Sequence, residues 1–366
     1  MKVHAAVAYE GNSELSVEEL ELSEPGPDDI LVRVAGCGLC HTDVKALAGG
    51  MGVPKPVVLG HEGAGIVERV GSRITNIHPG DHVVLTYDSC GACRACLEGN
   101  PAYCGQTTAL NFTDSRFGEP GTFTKNSESI HGHFFGQSSF ANYAIAKPRN
   151  AVVVRKDAPL EILGVLGCGV QTGAGAVMNA LQPEPGSSIA IFGVGPVGMS
   201  AVLGAVIRGC AQIVAIDVLP QRLELAKKLG ATHVVLAGTD MNPSSAIRRN
   251  FPGGVNYALD TTGRPETGQH AIASLAPKGR FGFVTIPPGG MQLNMSSVFL
   301  RGLSVRGILQ GDSVPHVFIP HLIELFLAGR FPFDRFLTRY GFSRINQAIA
   351  DQAAGKVVKP VFIMSG

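Results

Sequence analysis

The sequence predicts a two-domain α/β protein: a β-rich part, then an open, doubly wound parallel sheet with helices on both faces. Three observations carry this. The chain has 366 residues, more than one ordinary core accommodates. Up to about residue 150, short β-branched runs are separated by Gly, Pro and Asp. From about Gly169 onward, apolar runs of four to six residues alternate with helical patterns instead.

In the first part, Ile30–Val34, Gly65–Val70 and Asp81–Leu85 alternate or are β-branched, as half-buried strands do. Pro25–Pro27 and His78–Asp81 are turn signals. Residues 111–133 are polar, with several Gly and Ser, and are expected to form an irregular excursion. In the second part, Ser188–Phe192 and Ile213–Ile216 have the uninterrupted apolar character of strands buried on both faces. Helical patterns follow each of them, Val197–Gly209 and Gln221–Leu229. Arg280–Ile286 and Leu303–Ile308 read as later strands, and Pro315–Gly329 as a helix. Lys359–Met364 reads as a strand able to return to the first domain. The expected division is 1–169 for the first domain, 170–312 for the parallel-sheet domain and 313–366 for the return.

Apolar residues make up 45% and charged residues 16%, the balance of a well-buried globular chain. Thirty basic residues against 29 acidic ones leave no electrostatic footprint for nucleic acid or an anionic membrane. No apolar stretch of about 18 residues is free of charges or breakers, so no membrane span is expected. Met1–Glu10 reads as a strand rather than a leader, and four of the eight cysteines crowd together, pointing to metal rather than disulfides. A cytoplasmic location is expected.

Gly193-Val-Gly195-Pro-Val-Gly198 matches G-x-G-x-x-G, directly after a predicted strand and opening a predicted helix. Asp217 lies nineteen residues beyond, at the end of the next strand. In that context the motif is a dinucleotide fingerprint. The first glycine permits a tight turn, the second lets a pyrophosphate approach the backbone, and the third allows close helix–strand packing. Asp217 should accept from the ribose hydroxyls and repel a 2′-phosphate, favouring NAD over NADP. Arg222 could touch the same ribose or be a solvated charge on the helix face.

Cys90, Cys93, Cys96 and Cys104 form a four-thiolate set within a lobe spanning 88–106, expected to hold a closed, structural zinc. An iron–sulfur cluster is the rival, but its usual run continues with three residues and Cys-Pro, whereas seven residues intervene here and Gly105 follows. A nucleic-acid-binding ribbon is a third reading, against which the lobe offers only Arg94 as a cation, beside Glu98. Cys37 and Cys210 are expected to be buried apolar filler.

Cys40-His41-Thr42-Asp43 sets a thiol, an imidazole, a hydroxyl and a carboxylate side by side, with His61-Glu62 eighteen positions on and Cys168 far downstream. One histidine and two cysteines are the ligands of a catalytic zinc whose fourth position stays open. Each alone would be ordinary; together they are a site.

These features resemble the zinc-dependent medium-chain alcohol dehydrogenases over essentially the whole chain. The resemblance includes Gly60-His-Glu-x-x-Gly65-x5-Gly71-x-x-Ile74, the four-cysteine lobe and the fingerprint with Asp217. Through His133–Phe140 and Leu166–Gly175 it is most similar to the bacterial aryl (benzyl) alcohol dehydrogenases. The resemblance implies a GroES-like catalytic domain joined to a Rossmann domain, and two zinc ions per chain. It places Cys40, His61 and Cys168 on the catalytic zinc, Glu62 beside it, and Asp43 behind the His61 imidazole. It puts His41 and Lys359 towards the cofactor pyrophosphate and Thr172, Val197 and Ile286 around the nicotinamide. Thr42 becomes the group that accepts the alcohol proton, with Lys45 standing where relatives with a complete relay carry a histidine.

Tyr87 and Phe134, with Phe135, are candidates for an apolar substrate pocket, Phe134 through a matching family position; core packing is the alternative. The expected substrates are primary aromatic or allylic alcohols and their aldehydes, of benzyl, cinnamyl or geraniol type. A glutathione-dependent formaldehyde dehydrogenase of the same family and a non-catalytic NAD-binding relative are the competing readings. Relatives are dimers or tetramers, so a homodimer or homotetramer is expected.

Overall fold

The computed structural model describes residues 1–113, 122–238, 242–287 and 289–364. The chain divides into two units. One comprises 1–168, 314–324 and 337–366; the other comprises 169–313 and 325–336. The tail expected to return as a single piece from residue 313 is thus shared, with 325–336 lying in the second unit.

The first unit is built on two sheets. In one, the antiparallel pair Lys2–Ala8 and Ser16–Leu22 is extended by Val57–Val58 on one side and by the hairpin Phe123–Lys125/Glu128–Ile130 on the other. That hairpin replaces part of the expected irregular excursion. Its two turn residues, Asn126 and Ser127, both have positive φ, the twist that suits a two-residue hairpin loop. Residues 114–121 of the same stretch lie outside the described residues.

The second sheet centres on the strand Ile30–Gly38, which pairs antiparallel with Gly63–Val70 and with Lys359–Ile363. The last strand therefore docks onto the strand that leads into Cys40. Its neighbour Leu337–Gly341 runs parallel to it. The core of this unit gathers Val, Leu, Ile and Phe from both sheets, including Phe123, Phe140 and Phe362, all essentially buried. The alternation read from the sequence follows: Ile30, Val32 and Val34 face this core while Arg33 pairs outward with Glu68.

The second unit carries a six-stranded, wholly parallel sheet: His233–Leu236, Gln212–Asp217, Ser188–Phe192, Val255–Asp260, Leu275–Phe283 and Ser304–Gly307, in that spatial order. Numbered along the chain this is 3-2-1-4-5-6, the doubly wound dinucleotide-binding order. Four of its helices, Pro196–Ile207, Pro220–Lys228, Pro243–Asn250 and Pro265–Ser274, begin with proline, whose fixed φ suits the first helical position and whose missing N–H is no loss there. Among the described residues no single helix is long and apolar enough to cross a membrane.

Candidate active site and cofactor cradle

Cys40 stands immediately before the short helix His41–Leu47, at the end of the central strand. His61 and Glu62 lie just ahead of the strand Gly63–Val70, and Cys168 follows the 3₁₀ turn Gly164–Gly167. Three distant segments thereby converge. One ligand atom each from Cys40, His61, Glu62 and Cys168 falls within 4.8 Å of the others.

The imidazole of His61 is wholly buried and its tautomer is set from behind. Nδ1 lies 2.8 Å from Asp43 Oδ1, leaving Nε2 as the ring nitrogen without a hydrogen-bond partner. The same carboxylate accepts from the backbone N–H of Cys40 at 2.9 Å and of Gly60 at 3.1 Å, so one buried group ties together the segments carrying two of the donors. The Phe135 ring stacks on the imidazole at 4.4 Å and Phe134 meets it edge-on at 5.6 Å, with Phe112 packed against both phenyl rings. Gln137 completes the frame: its amide donates to the carbonyls of His61 (3.0 Å) and Thr86 (3.2 Å) and accepts from Gly63 N–H. Asn150 holds the carbonyls of Phe135 and Gly136, where Phe135 has a positive φ of 53°.

A hydrogen bond from Cys168, helped by the Lys359 charge, holds the Cys40 thiol well below its ordinary value, whereas that hydrogen bond and burial push Cys168 well above. Two gathered sulfurs and a buried Nε2 with no hydrogen-bond partner are donors that a dication would take together. The donor set therefore fits zinc.

Lys359 has a different partner from the one expected. Its ammonium is buried, 2.5 Å from Glu62 Oε2 and 2.9 Å from the Leu39 carbonyl, rather than turned to a cofactor phosphate. Burial works to lower the lysine, but the charges of Glu62 and Cys40 outweigh it and its pKa is raised. Burial raises the Glu62 carboxyl, with Lys359 opposing. His41 is exposed and Thr42 half-buried on the first turn of the helix, and Lys45 is exposed. Tyr87 is buried with Phe134 and Phe135 in the core cluster.

The second candidate metal set brings together Cys90, Cys93, Cys96 and Cys104. Sulfur separations of 3.5, 3.9 and 4.0 Å bracket the roughly 3.8 Å expected for sulfurs about 2.3 Å from one tetrahedral zinc. Backbone N–H groups of Ala92 and Cys93 point at Cys90 and draw its thiol down; those of Cys96 and Gly105 draw Cys93 to about 6. None of the eight cysteines is in a disulfide.

In the second unit Gly193 has φ +81° at the turn, and a side chain at Gly198 would stand 1.9 Å from the Gly193 carbonyl. Helix Pro196–Ile207 has no side-chain cap, so its first N–H groups remain available to an anion. Asp217 accepts from Val194 N–H at 2.8 Å and Leu219 N–H at 3.0 Å, and Arg222 lies 3.8 Å from it. Thr172 lies on the helix Gly169–Gly175 and contacts Gln310. Ile286 is 76% exposed, because the strand expected to include it ends at Phe283.

Gln137, Asn150 and Phe112 were not signalled by the sequence. Their roles depend on which carbonyls and rings the fold brings within reach, and no local pattern encodes that.

A thiolate–imidazole metal site joined in one chain to a dinucleotide cradle defines a metal-dependent dehydrogenase. The comparisons make this specific. Residues 26–156 match the alcohol dehydrogenase GroES-like domain and 196–328 the zinc-binding dehydrogenase domain. The chain is 42% identical to a geraniol dehydrogenase from Castellaniella defragrans, over 99% of this chain and 98% of the relative. Among solved structures, an alcohol dehydrogenase zinc-binding domain protein from Burkholderia ambifaria matches at 47% identity and a TM-score of 0.97, and the benzyl alcohol dehydrogenase from Acinetobacter calcoaceticus at 41% and 0.96; in both cases all of each chain is covered. The chain belongs to the zinc-dependent medium-chain alcohol dehydrogenase family, and it is an NAD-dependent alcohol dehydrogenase.

Proposed function

We propose that this enzyme oxidises primary aromatic or allylic alcohols with NAD and reduces the corresponding aldehydes, using two zinc ions per chain. The observation that carries the reading is the convergence of Cys40, Cys168 and the free Nε2 of His61, with Asp43 behind the imidazole. Bound there, zinc supplies Lewis acidity towards an alcohol oxygen, and the nicotinamide supplies the hydride acceptor.

The protein's own part is orientation and proton handling. Asp43 holds the imidazole in the tautomer whose Nε2 is a donor to metal. Phe134, Phe135 and Phe112 keep water from the imidazole faces, and an apolar surround of this kind suits a ring or an allylic chain. Thr42 Oγ1 takes the hydroxyl proton of the alcohol as it gives up its own. The exposed Lys45, one helical turn on, stands where that proton can pass to solvent. At the cradle, Gly193, Gly195 and Gly198 admit the pyrophosphate, Asp217 and Arg222 take the ribose, and Thr172 and Val197 flank the nicotinamide. The activities named for the geraniol and benzyl alcohol relatives support the substrate class.

The exposed edge strand Ser304–Gly307, beside Phe299 (82% exposed) and Leu300 (80%), suits pairing with a second copy, hence a homodimer or a tetramer built from it. Eight cysteines without a disulfide among them suit a reducing compartment, the cytoplasm. The test is a panel of benzyl, cinnamyl, allylic-terpene and short aliphatic alcohols assayed with NAD and NADP, with zinc counted per chain. A preference for ethanol, or for the glutathione adduct of formaldehyde, defeats the substrate assignment. A preference for NADP defeats the role given to Asp217.

A further inference from the structure

We infer that Lys359 is a positioning residue: by restraining the Glu62 carboxylate it keeps the ion held by Cys40, His61 and Cys168 at three protein ligands, with a position left for substrate. The inference rests on the zinc reading above and concerns what that reading leaves unexplained. Taken by proximity alone, the four gathered side chains would make a closed site, since the Glu62 carboxylate lies within the same 4.8 Å cluster as both sulfurs and the imidazole. Zinc accepts carboxylate oxygen readily, and four protein ligands are the arrangement of structural rather than catalytic zinc. A charged carboxylate a few ångströms away would outcompete a neutral alcohol unless something held it.

The restraint is the lysine. Nζ lies 2.5 Å from Oε2, and both side chains are essentially inaccessible to solvent (1% and 0%), so water does not weaken the pair. The lysine is itself fixed: Nζ donates to the Leu39 carbonyl at 2.9 Å, and the Leu39 N–H donates to the Pro360 carbonyl at 3.0 Å. The anchor therefore belongs to the pairing of Lys359–Ile363 with Ile30–Gly38, the strand that also leads to Cys40. Room for the carboxylate is provided by a missing side chain, for a Cβ at Gly38 would meet Oε2 at 2.1 Å. The charges also match. Two thiolates neutralise a dication and the Lys359 ammonium neutralises the Glu62 carboxylate, so that carboxylate adds no uncompensated charge beside the ion.

The test uses full-length protein with cobalt in place of zinc, whose visible bands report the number and kind of ligands, titrated with imidazole as an external ligand. The parent protein and Lys359→Arg should show the same bands and the same imidazole response. In Lys359→Met the carboxylate should enter the coordination sphere, changing the bands before any imidazole is added and weakening imidazole by about tenfold or more. Lys359→Met/Glu62→Gln should restore the parent response. Should Lys359→Met fail to fold, Glu62→Gln alone decides: parent-like bands support the restraint, whereas altered bands mean the carboxylate is already a ligand and overturn it. Unchanged bands and imidazole affinity in Lys359→Met also overturn it, as does a double variant that stays blocked. Failure of the zinc reading looks different, because the parent protein would then take up cobalt only at the four-cysteine lobe.

Discussion

Replacing Asp43 with asparagine removes one charge from behind His61 with almost no change of shape. The carboxylate accepts three hydrogen bonds, from His61 Nδ1–H, Gly60 N–H and Cys40 N–H, at 2.8–3.1 Å. An amide has one oxygen and one NH₂ group, so one side must turn a donor towards a donor. If the NH₂ faces Cys40, the backbone N–H there loses its acceptor. If it faces the imidazole, Nδ1 must become the acceptor, the proton moves to Nε2, and the ring can no longer bind metal.

The first arrangement is the milder, and its cost can be bounded. Hydrogen bonds to a charged acceptor contribute about 1.5–3 kcal/mol and neutral ones about 0.5–1.5. Three bonds so weakened lose at most a few kcal/mol, shared between folding and metal binding. The expected loss in zinc affinity is about 10–100-fold, or roughly 1.4–2.7 kcal/mol. Competition against a chromogenic chelator near neutral pH measures it, with the four-cysteine lobe as internal reference. An asparagine variant that holds its second zinc within about twofold of the parent protein would refute the claim that this carboxylate sets the imidazole's donor strength.

Thr42→Ala should lower turnover by about 10²–10⁴-fold, the range for positioned proton transfer, while zinc content stays at the parent value; unchanged turnover removes Thr42 from proton transfer. Cys104→Ser should cost about one zinc per chain and expose the 88–106 lobe to protease, as metal binding and local folding are coupled there; full zinc content in the purified variant contradicts this. Asp351 accepts from Gln347, Lys356 and Tyr340, which lower its pKa. A carboxylate lowered in the folded state stabilises above its unfolded pKa of about 3.9 and loses that contribution as pH falls through the folded value. The Tm gap between the parent protein and Asp351→Asn should therefore be constant near neutrality and close below about pH 4; a gap that widens on acidification has the wrong sign.

Much of the protein was legible in one dimension because the relevant physics is local or compositional. A strand, three spaced glycines, a proline-initiated helix and an acid at the next strand end are consecutive features, and each local preference agrees with the parallel sheet they build. Thiol and imidazole chemistry marked both metal sets, since few other roles gather those donors. The hairpin Phe123–Ile130 escaped because Asn126 and Ser127 sit in a polar stretch whose strands are only three residues long. Ile286 fell beyond its strand because an apolar run does not say where pairing stops.

The sequence by itself determined the chemistry available: which donors, which cradle and which family. Tertiary structure alone decided what each buried charge faces. Lys359 and Glu62 are 297 positions apart, and only the antiparallel docking of the last strand beside Ile30–Gly38 brings ammonium to carboxylate. Away from water a charge must find its counter-charge nearby, and proximity of that kind is a property of the folded chain.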